Sequence, residues 1–145
     1  MLDKLDELKD SLDELTYCYS ELDDTDAATA FYLMKESSSL QSSYEKVSAD
    51  LLKVLADAER QAKATQARVS RESSTKVNEG DRIAASSEEV LAMWEHVSEV
   101  QKSQRYIESS AKFLSRIYFD CKLIYENVCR ATRIPVGDDK LVGRF

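Results

Sequence analysis

The chain has 145 residues with 43% hydrophobic side chains, only three glycines and one proline, and a formal net charge of −7. This length suits one domain with a modest core, and so few turn residues predict few, long elements. The N-terminus is acidic and lacks a signal peptide's basic start and apolar middle, and no apolar run approaches the roughly 20 residues of a membrane span. We therefore expect a soluble, cytoplasmic protein without membrane contact.

The negative charge is concentrated at the N-terminus. Residues 1–26 hold ten acidic residues and two lysines, a net charge of −8, which leaves +1 for residues 27–145. The sequence therefore predicts an acidic arm followed by a body in which acidic and basic residues nearly balance.

Residues 1–24 are predicted to form an acidic amphipathic helix. Leucines recur at alternating spacings of three and four, as in the a/d seam of about three heptads, and acidic residues fill the outward positions. Because a helix of this length is marginal alone, its leucines must pack on the rest of the chain or on a second copy, and both alternatives stay open. The seam, our candidate oligomerisation surface, consists of Leu5, Leu8, Leu12, Leu15 and Leu22.

A second helix is predicted for residues 25–71, with Asp26 as its cap. Its apolar residues repeat every three or four positions from Leu33 to Val69, and they become smaller toward the end, where another helix can approach closely. The opposite face carries only basic residues, serine and alanine, with no acid between the basic residues. This face is either a binding surface or an ordinary outward face that happens to be basic. Its basic residues are Lys35, Lys46, Lys53, Arg60 and Arg71.

Residues 72–85 are polar and predict a connection, with Gly80 in a turn signal and room for a short helical turn. A capping box of Ser86 and Glu89 is predicted to open the last long helix, residues 86–133. Ile134 precedes Pro135, and the residue before proline avoids the helical region, so we expect the helix to end there.

The fold class is therefore predicted to be all-α. Two long helices joined by a short connection favour an antiparallel helical hairpin with coiled-coil-like packing, and the N-terminal amphipathic helix is added to it. In the tail, residues 134–145, we expect the apolar Leu141, Val142 and Phe145 to dock on the chain rather than to bind a partner. The last helix has its own basic line away from the apolar seam, and this line includes Arg105, Lys112 and Arg116.

The sequence contains no recognisable catalytic or metal-binding pattern. The three cysteines have no CxxC spacing, and the single histidine, His96, has no cysteine near it. A phosphate-binding glycine loop and the common hydrolase motifs are absent from the sequence as well. We therefore expect neither an enzyme nor a metal or cofactor, which leaves binding and assembly as the candidate functions.

Lines of lysine and arginine with serines between them suit phosphate groups, because each neutralised phosphate releases counterions without any reading of base sequence. The aromatic residues that could stack on bases, Tyr44, Tyr118 and Tyr125, fall mostly in the apolar seams. The sequence thus favours a surface that follows a phosphate backbone over a groove that stacks bases.

The order of these elements resembles that of the UvsY-type recombination mediators of tailed phages. The resemblance covers residues from about 30 to 130 and lies in a long helix with basic residues at its end, the connection KVNEGDR, the helix start SSEEV and the aromatic-rich segment YIESSAKFLSRIYFDCKLIYEN.

The resemblance implies a homo-oligomeric protein of the host-cell cytoplasm that binds single-stranded DNA. Such a protein would load a RecA-like recombinase onto strands covered by single-strand binding protein, and it would need no cofactor. The positions that match this role are the eight basic residues named above. The alternative, favoured by the leucine arm and the net acidity, is a helical assembly factor, chaperone or scaffold that acts through protein–protein contacts.

Overall fold

The computed structural model describes the backbone of residues 2–142 and the side chains of residues 3–132. The described residues form four helices: α1 (Leu2–Ser20), α2 (Ala27–Ser73), α3 (Val77–Ser86) and α4 (Glu88–Val142). No strand occurs within the described residues. The predictions of an all-α fold, of a helical hairpin formed by the two long helices and of a separate N-terminal helix are confirmed.

The chain divides into two compact units. Unit 1 comprises Met1–Glu45 and Ser109–Phe145, and unit 2 comprises Lys46–Glu108. Unit 1 therefore contains α1, the first part of α2 and the part of α4 from Ser109 onward. Unit 2 contains the rest of α2, α3 and the first part of α4.

Two helix starts show how local hydrogen bonds set the boundaries. Asp26 caps α2 as predicted, because its carboxylate accepts hydrogen bonds from the backbone N–H and the hydroxyl of Thr29 at 3.0 and 2.6 Å. These bonds favour the ionised carboxylate and lower the pKa of Asp26. The predicted capping box at Ser86 is wrong: its hydroxyl donates back to the carbonyl of Ile83 at 3.1 Å, and the carbonyl of Ser87 accepts the first bond of α4, from Leu91 N–H at 2.9 Å.

The last helix does not end before Pro135, as the sequence predicted, but continues to Val142. A proline removes one backbone donor and disturbs one turn, which can kink a helix without ending it. The predicted docking of the tail through Leu141, Val142 and Phe145 lies outside the described residues, since no side chain beyond residue 132 is described.

In unit 2 the two long helices run antiparallel and pack through small side chains. Ala58 and Ala62 of α2 form a buried cluster with Val97 of α4, and Leu55, Met93 and Trp94 pack against it. The indole N–H of Trp94 donates to Gln66 at 3.1 Å, and the buried Gln104 donates to Ser48 at 2.8 Å. The predicted decrease in side-chain size along α2 therefore coincides with a close helix contact.

The connection is mostly helical, because α3 packs on the end of α2. A Cβ atom on the buried Gly80 would lie 2.4 Å from the carbonyl oxygen of Ser70, so only glycine permits this approach. The hydroxyl of Ser70 donates to Asp81 at 2.7 Å. Arg68 forms ion pairs with Glu72, at 3.0 Å, and with Glu89 at the start of α4. These contacts hold the turn between the two long helices.

In unit 1 the acidic helix α1 is docked on its own chain. Its leucines Leu8, Leu12 and Leu15 are only 7–8% exposed, and Leu5 and Leu22 are half-buried. Three of the five candidate oligomerisation residues thus have little surface left for a second copy. The other buried hydrophobic residues of unit 1 are Ala30, Leu33, Tyr44, Leu114, Ile117 and Cys121.

We predict that Leu12→Ala lowers the free energy of unfolding by about 2–5 kcal/mol, because it removes a buried side chain from a packed core. Urea denaturation measures this loss, and the half-buried Leu5→Ala should lose less. Sedimentation velocity should give the same oligomeric state for Leu12→Ala as for the wild-type chain. A changed oligomeric state with unchanged stability would instead place Leu12 in an interface between copies.

Tyr19 ties α1 to α4 in unit 1. Its hydroxyl donates a hydrogen bond of 2.5 Å to the carboxylate of Asp120. This bond, together with partial burial and the negative charge of Asp120, raises the pKa of Tyr19 from its ordinary value of 10.0 to about 12. The neutral hydroxyl is therefore the form that the folded chain stabilises.

We predict that this contribution is fully present below about pH 10 and is lost as the pH rises toward about 12, since the raised pKa belongs to the folded state. Urea denaturation of the wild-type chain and of Tyr19→Phe at a series of pH values isolates the contribution of the hydroxyl. The stability difference between the two proteins should shrink over this range. A difference that stays constant would show that the bond does not depend on the protonated hydroxyl.

Candidate nucleic-acid interface

The basic residues of α2 in unit 2 lie in one line on its exposed face. Lys46, Lys53 and Arg60 are exposed and follow one another at intervals of seven residues, and Arg71 is exposed further along. Seven residues of α-helix rise about 10.5 Å, so the cationic groups recur at a regular distance along the helix. We call Lys46, Lys53 and Arg60 the α2 stripe.

The α2 stripe lies on the side of α2 that is turned away from α4. At 100° per residue the stripe is opposite Leu51, Ala58 and Ala62, which are buried. No side chain of α4 in unit 2 can reach the stripe, because the body of α2 lies between them. The stripe is therefore a convex surface built from one helix.

The members of the α2 stripe differ in whether they form an ion pair. Lys46 and Lys53 form no ion pair with any described residue. Arg60 donates a hydrogen bond to the carboxylate of Asp57 at 3.1 Å. The prediction of a line without acids was therefore wrong: at 100° per residue Asp57 lies about 40° from Lys53 on the same side of α2, and it is three residues from Arg60, so its carboxylate reaches the line.

The remaining predicted residues are exposed as well, and two of them make contacts of their own. Lys35 belongs to unit 1, where its ammonium lies 4.6 Å from the ring centre of Phe31, and the guanidinium of Arg71 donates to its own helix at the carbonyl of Ala67, 3.3 Å away. Arg105 is exposed on α4 in unit 2, one residue beyond the buried Gln104. The eight basic residues are thus all exposed, and three of them form the α2 stripe.

Lys112 and Arg116 are exposed on α4 in unit 1, and neither forms an ion pair within the described part of the chain. Phe119 and Leu123, which follow on the same face at spacings of three and four, are also exposed. The sequence analysis missed these two residues because it assigned them neither to the apolar seam nor to the basic line. Their helical angle, which matches that of the basic line, was the available signal.

Other kinds of site have little support among the described residues. No group of three or more His, Cys, Asp or Glu side chains there comes together in a way that could hold a metal ion. A groove between α1 and α2 in unit 1 is lined by leucines, serines and the carboxylates of Glu14 and Glu36. Among the described helices, none has an apolar stretch long enough to cross a membrane.

Comparison with known proteins yields no match to any family model, any curated protein or any solved structure. The geometry of the surface is therefore the basis on which a function can be argued.

Proposed function

We propose that this protein binds single-stranded DNA through the α2 stripe and serves as a recombination mediator. The observation that carries the proposal is the line of exposed cations, Lys46, Lys53 and Arg60, at a constant spacing on one face of α2. In this role the protein would help to load a RecA-like recombinase onto strands covered by single-strand binding protein, as the family resemblance implies.

A convex line of cations suits a single strand because it can follow phosphates without enclosing bases. Each phosphate that a lysine neutralises releases condensed counterions, which provides affinity independent of base sequence. Small side chains between the cations, such as Ala49 and Ala56, let the backbone of a strand approach the helix. The proposed surface therefore predicts binding that is sensitive to salt and tolerant of sequence.

The net charge of −7 is compatible with this proposal because the charges are segregated. Residues 46–71 hold six basic and three acidic residues, whereas most of the excess acidity belongs to residues 1–26. A local positive potential suffices to attract a polyanion when opposite charges lie elsewhere on the molecule.

The proposal requires no catalysis by this chain and no cofactor, because nucleotide hydrolysis would be performed by the recombinase. Self-association would place several α2 stripes along one strand and raise the overall affinity by multivalency. In the proposed mediator, homo-oligomers form through surfaces other than the buried leucines of α1.

We predict that Lys46→Ala combined with Lys53→Ala weakens binding to labelled oligothymidine and flattens its salt dependence. The slope of log affinity against log salt should become less steep by about 1.4, since each lost phosphate contact removes about 0.7 from the slope for single strands. Fluorescence anisotropy at several salt concentrations measures both quantities.

The matched control is Lys63→Ala combined with Lys102→Ala, which removes the same charge from exposed positions of unit 2 outside the α2 stripe. The control should keep most of the wild-type slope. Equal slopes for the two double variants would show that net charge matters and the stripe does not. Absence of binding to the wild-type chain at low salt would reject the proposed function.

We also predict that Asp57→Asn tightens binding to oligothymidine by about two- to fivefold, because it releases Arg60 from an exposed ion pair whose strength is small. Glu59→Gln is the matched control, since it removes the same charge from the same helix, Glu59 lies about 120° away from the axis of the α2 stripe, and it forms no ion pair with a described residue. If the two variants gain equally in anisotropy titrations, the release of Arg60 contributes nothing.

A second function, assembly through protein–protein contacts, is favoured by a different observation, the exposed apolar residues Phe119 and Leu123 on α4. These residues lie in unit 1 and take no part in the α2 stripe.

A further inference from the structure

The later part of α4, in unit 1, presents an apolar pair to solvent. The side chains of Phe119 and Leu123 are 60% and 57% exposed, although both residues are of types that usually lie inside. They are four residues apart and therefore adjacent on the helix surface. The ring of Phe119 packs edge-on against the ring of Tyr118, and their centroids are 5.4 Å apart.

Basic residues continue the same face on both sides of the apolar pair. Lys112 and Arg116 precede it and Arg130 follows it, all at helical angles close to those of Phe119 and Leu123. All three basic residues are exposed, and none forms an ion pair within the described residues. From Lys112 to Leu123 the face extends about 16 Å, or three helical turns.

The acidic residues that border this face form no ion pair with Lys112, Arg116 or Arg130. Residues 109–133 contain only two acids, Asp120 and Glu126, against five basic residues. Asp120 accepts the hydrogen bond of Tyr19, and Glu126 forms an ion pair with Lys122 at 4.0 Å. Asp120 keeps its negative charge because its partner is a neutral hydroxyl, but the five basic residues outnumber the two acids, so the face combines exposed apolar surface with a net positive charge.

We propose that this α4 face, defined by Lys112, Arg116, Phe119 and Leu123, is a docking site for an acidic amphipathic helix of a partner protein. Two leucines or other apolar residues of the partner, three or four positions apart, would cover Phe119 and Leu123, as in helix recognition by apolar anchors. Carboxylates on the flanks of the partner helix would pair with Lys112 and Arg116. Apolar contact provides the affinity, and the complementary charge selects an acidic partner and its orientation.

Two other occupants fit the face less well. A single-stranded nucleic acid would use the cations and could stack on Phe119, but it would gain little from Leu123, which has no aromatic face. A second copy of this chain would have to offer an acidic helix with a free apolar seam. Its acidic helix is α1, and the leucines of α1 are buried in its own unit. The site does not rest on DNA binding by the α2 stripe.

The test uses the full chain and a labelled helical peptide of about 18 residues, long enough to form helix, with leucines at spacings of three and four and glutamates elsewhere. Fluorescence anisotropy should show saturable binding. Phe119→Ser combined with Leu123→Ser should weaken it at least about tenfold, since each buried Leu or Phe contributes that much or more. Lys112→Glu combined with Arg116→Glu should also weaken it, and this loss should shrink at high salt.

The matched control is Leu52→Ser combined with Leu91→Ser, which removes two leucines of similar exposure from unit 2. This variant should bind the peptide as the wild-type chain does. Circular dichroism should show the same helix content for every variant. A second peptide with lysines in place of the glutamates should not bind.

Three results would overturn the proposal. Peptide binding that is absent, or that is equally strong in the Phe119 and Leu123 variant, would exclude the α4 face as its site. Loss of oligothymidine binding in that variant, without peptide binding by the wild-type chain, would assign the face to nucleic acid. Loss of self-association in sedimentation velocity would assign it to a second copy.

Discussion

Unit 2 depends on one constraint, the mutual burial of the apolar seams of its two long helices. The packing of Ala58 and Ala62 of α2 against Val97 of α4 shows it. Each long helix has one apolar seam. Removing apolar surface from water is favourable, so the two seams pack against each other. Small side chains on α2 bring the two backbones close, and the polar pair of Gln104 and Ser48 sits within the same interface. A buried amide that has a hydrogen-bond partner in only one register disfavours sliding of one helix along the other.

This constraint also decides where function can reside. When a helix commits one face to packing, its opposite face is left as convex surface. Residues on the outer faces of two paired helices point away from each other. The α2 stripe of unit 2 is for that reason a surface of one helix, and the α4 face of unit 1 differs from it in composition because it includes two exposed apolar residues.

The acidic helix α1 illustrates how tertiary packing resolves an ambiguity that heptads leave open. Leu8, Leu12 and Leu15 have the spacing of a zipper, and the same spacing serves equally well for docking on a neighbouring helix. Their burial in unit 1, together with the hydrogen bond from Tyr19 to Asp120, accounts for the seam without a second copy. The acidic residues of α1 remain exposed on its outer side. Most of the excess negative charge lies in residues 1–26, far in sequence from the α2 stripe.

Periodicity alone determined the helical class, the two long helices, the cap at Asp26 and the faces on which the basic residues lie, because 3.6-residue repeats and caps are local properties. Only the tertiary structure decided that Phe119 and Leu123 are left exposed beside Lys112 and Arg116, and that the connection is a helix held by the contact of Gly80 with Ser70. Those outcomes depend on which side chains meet in space. The rule that a helix ends before proline failed for α4, which continues through Pro135. A single proline weakens one turn, but the neighbouring turns can continue the helix.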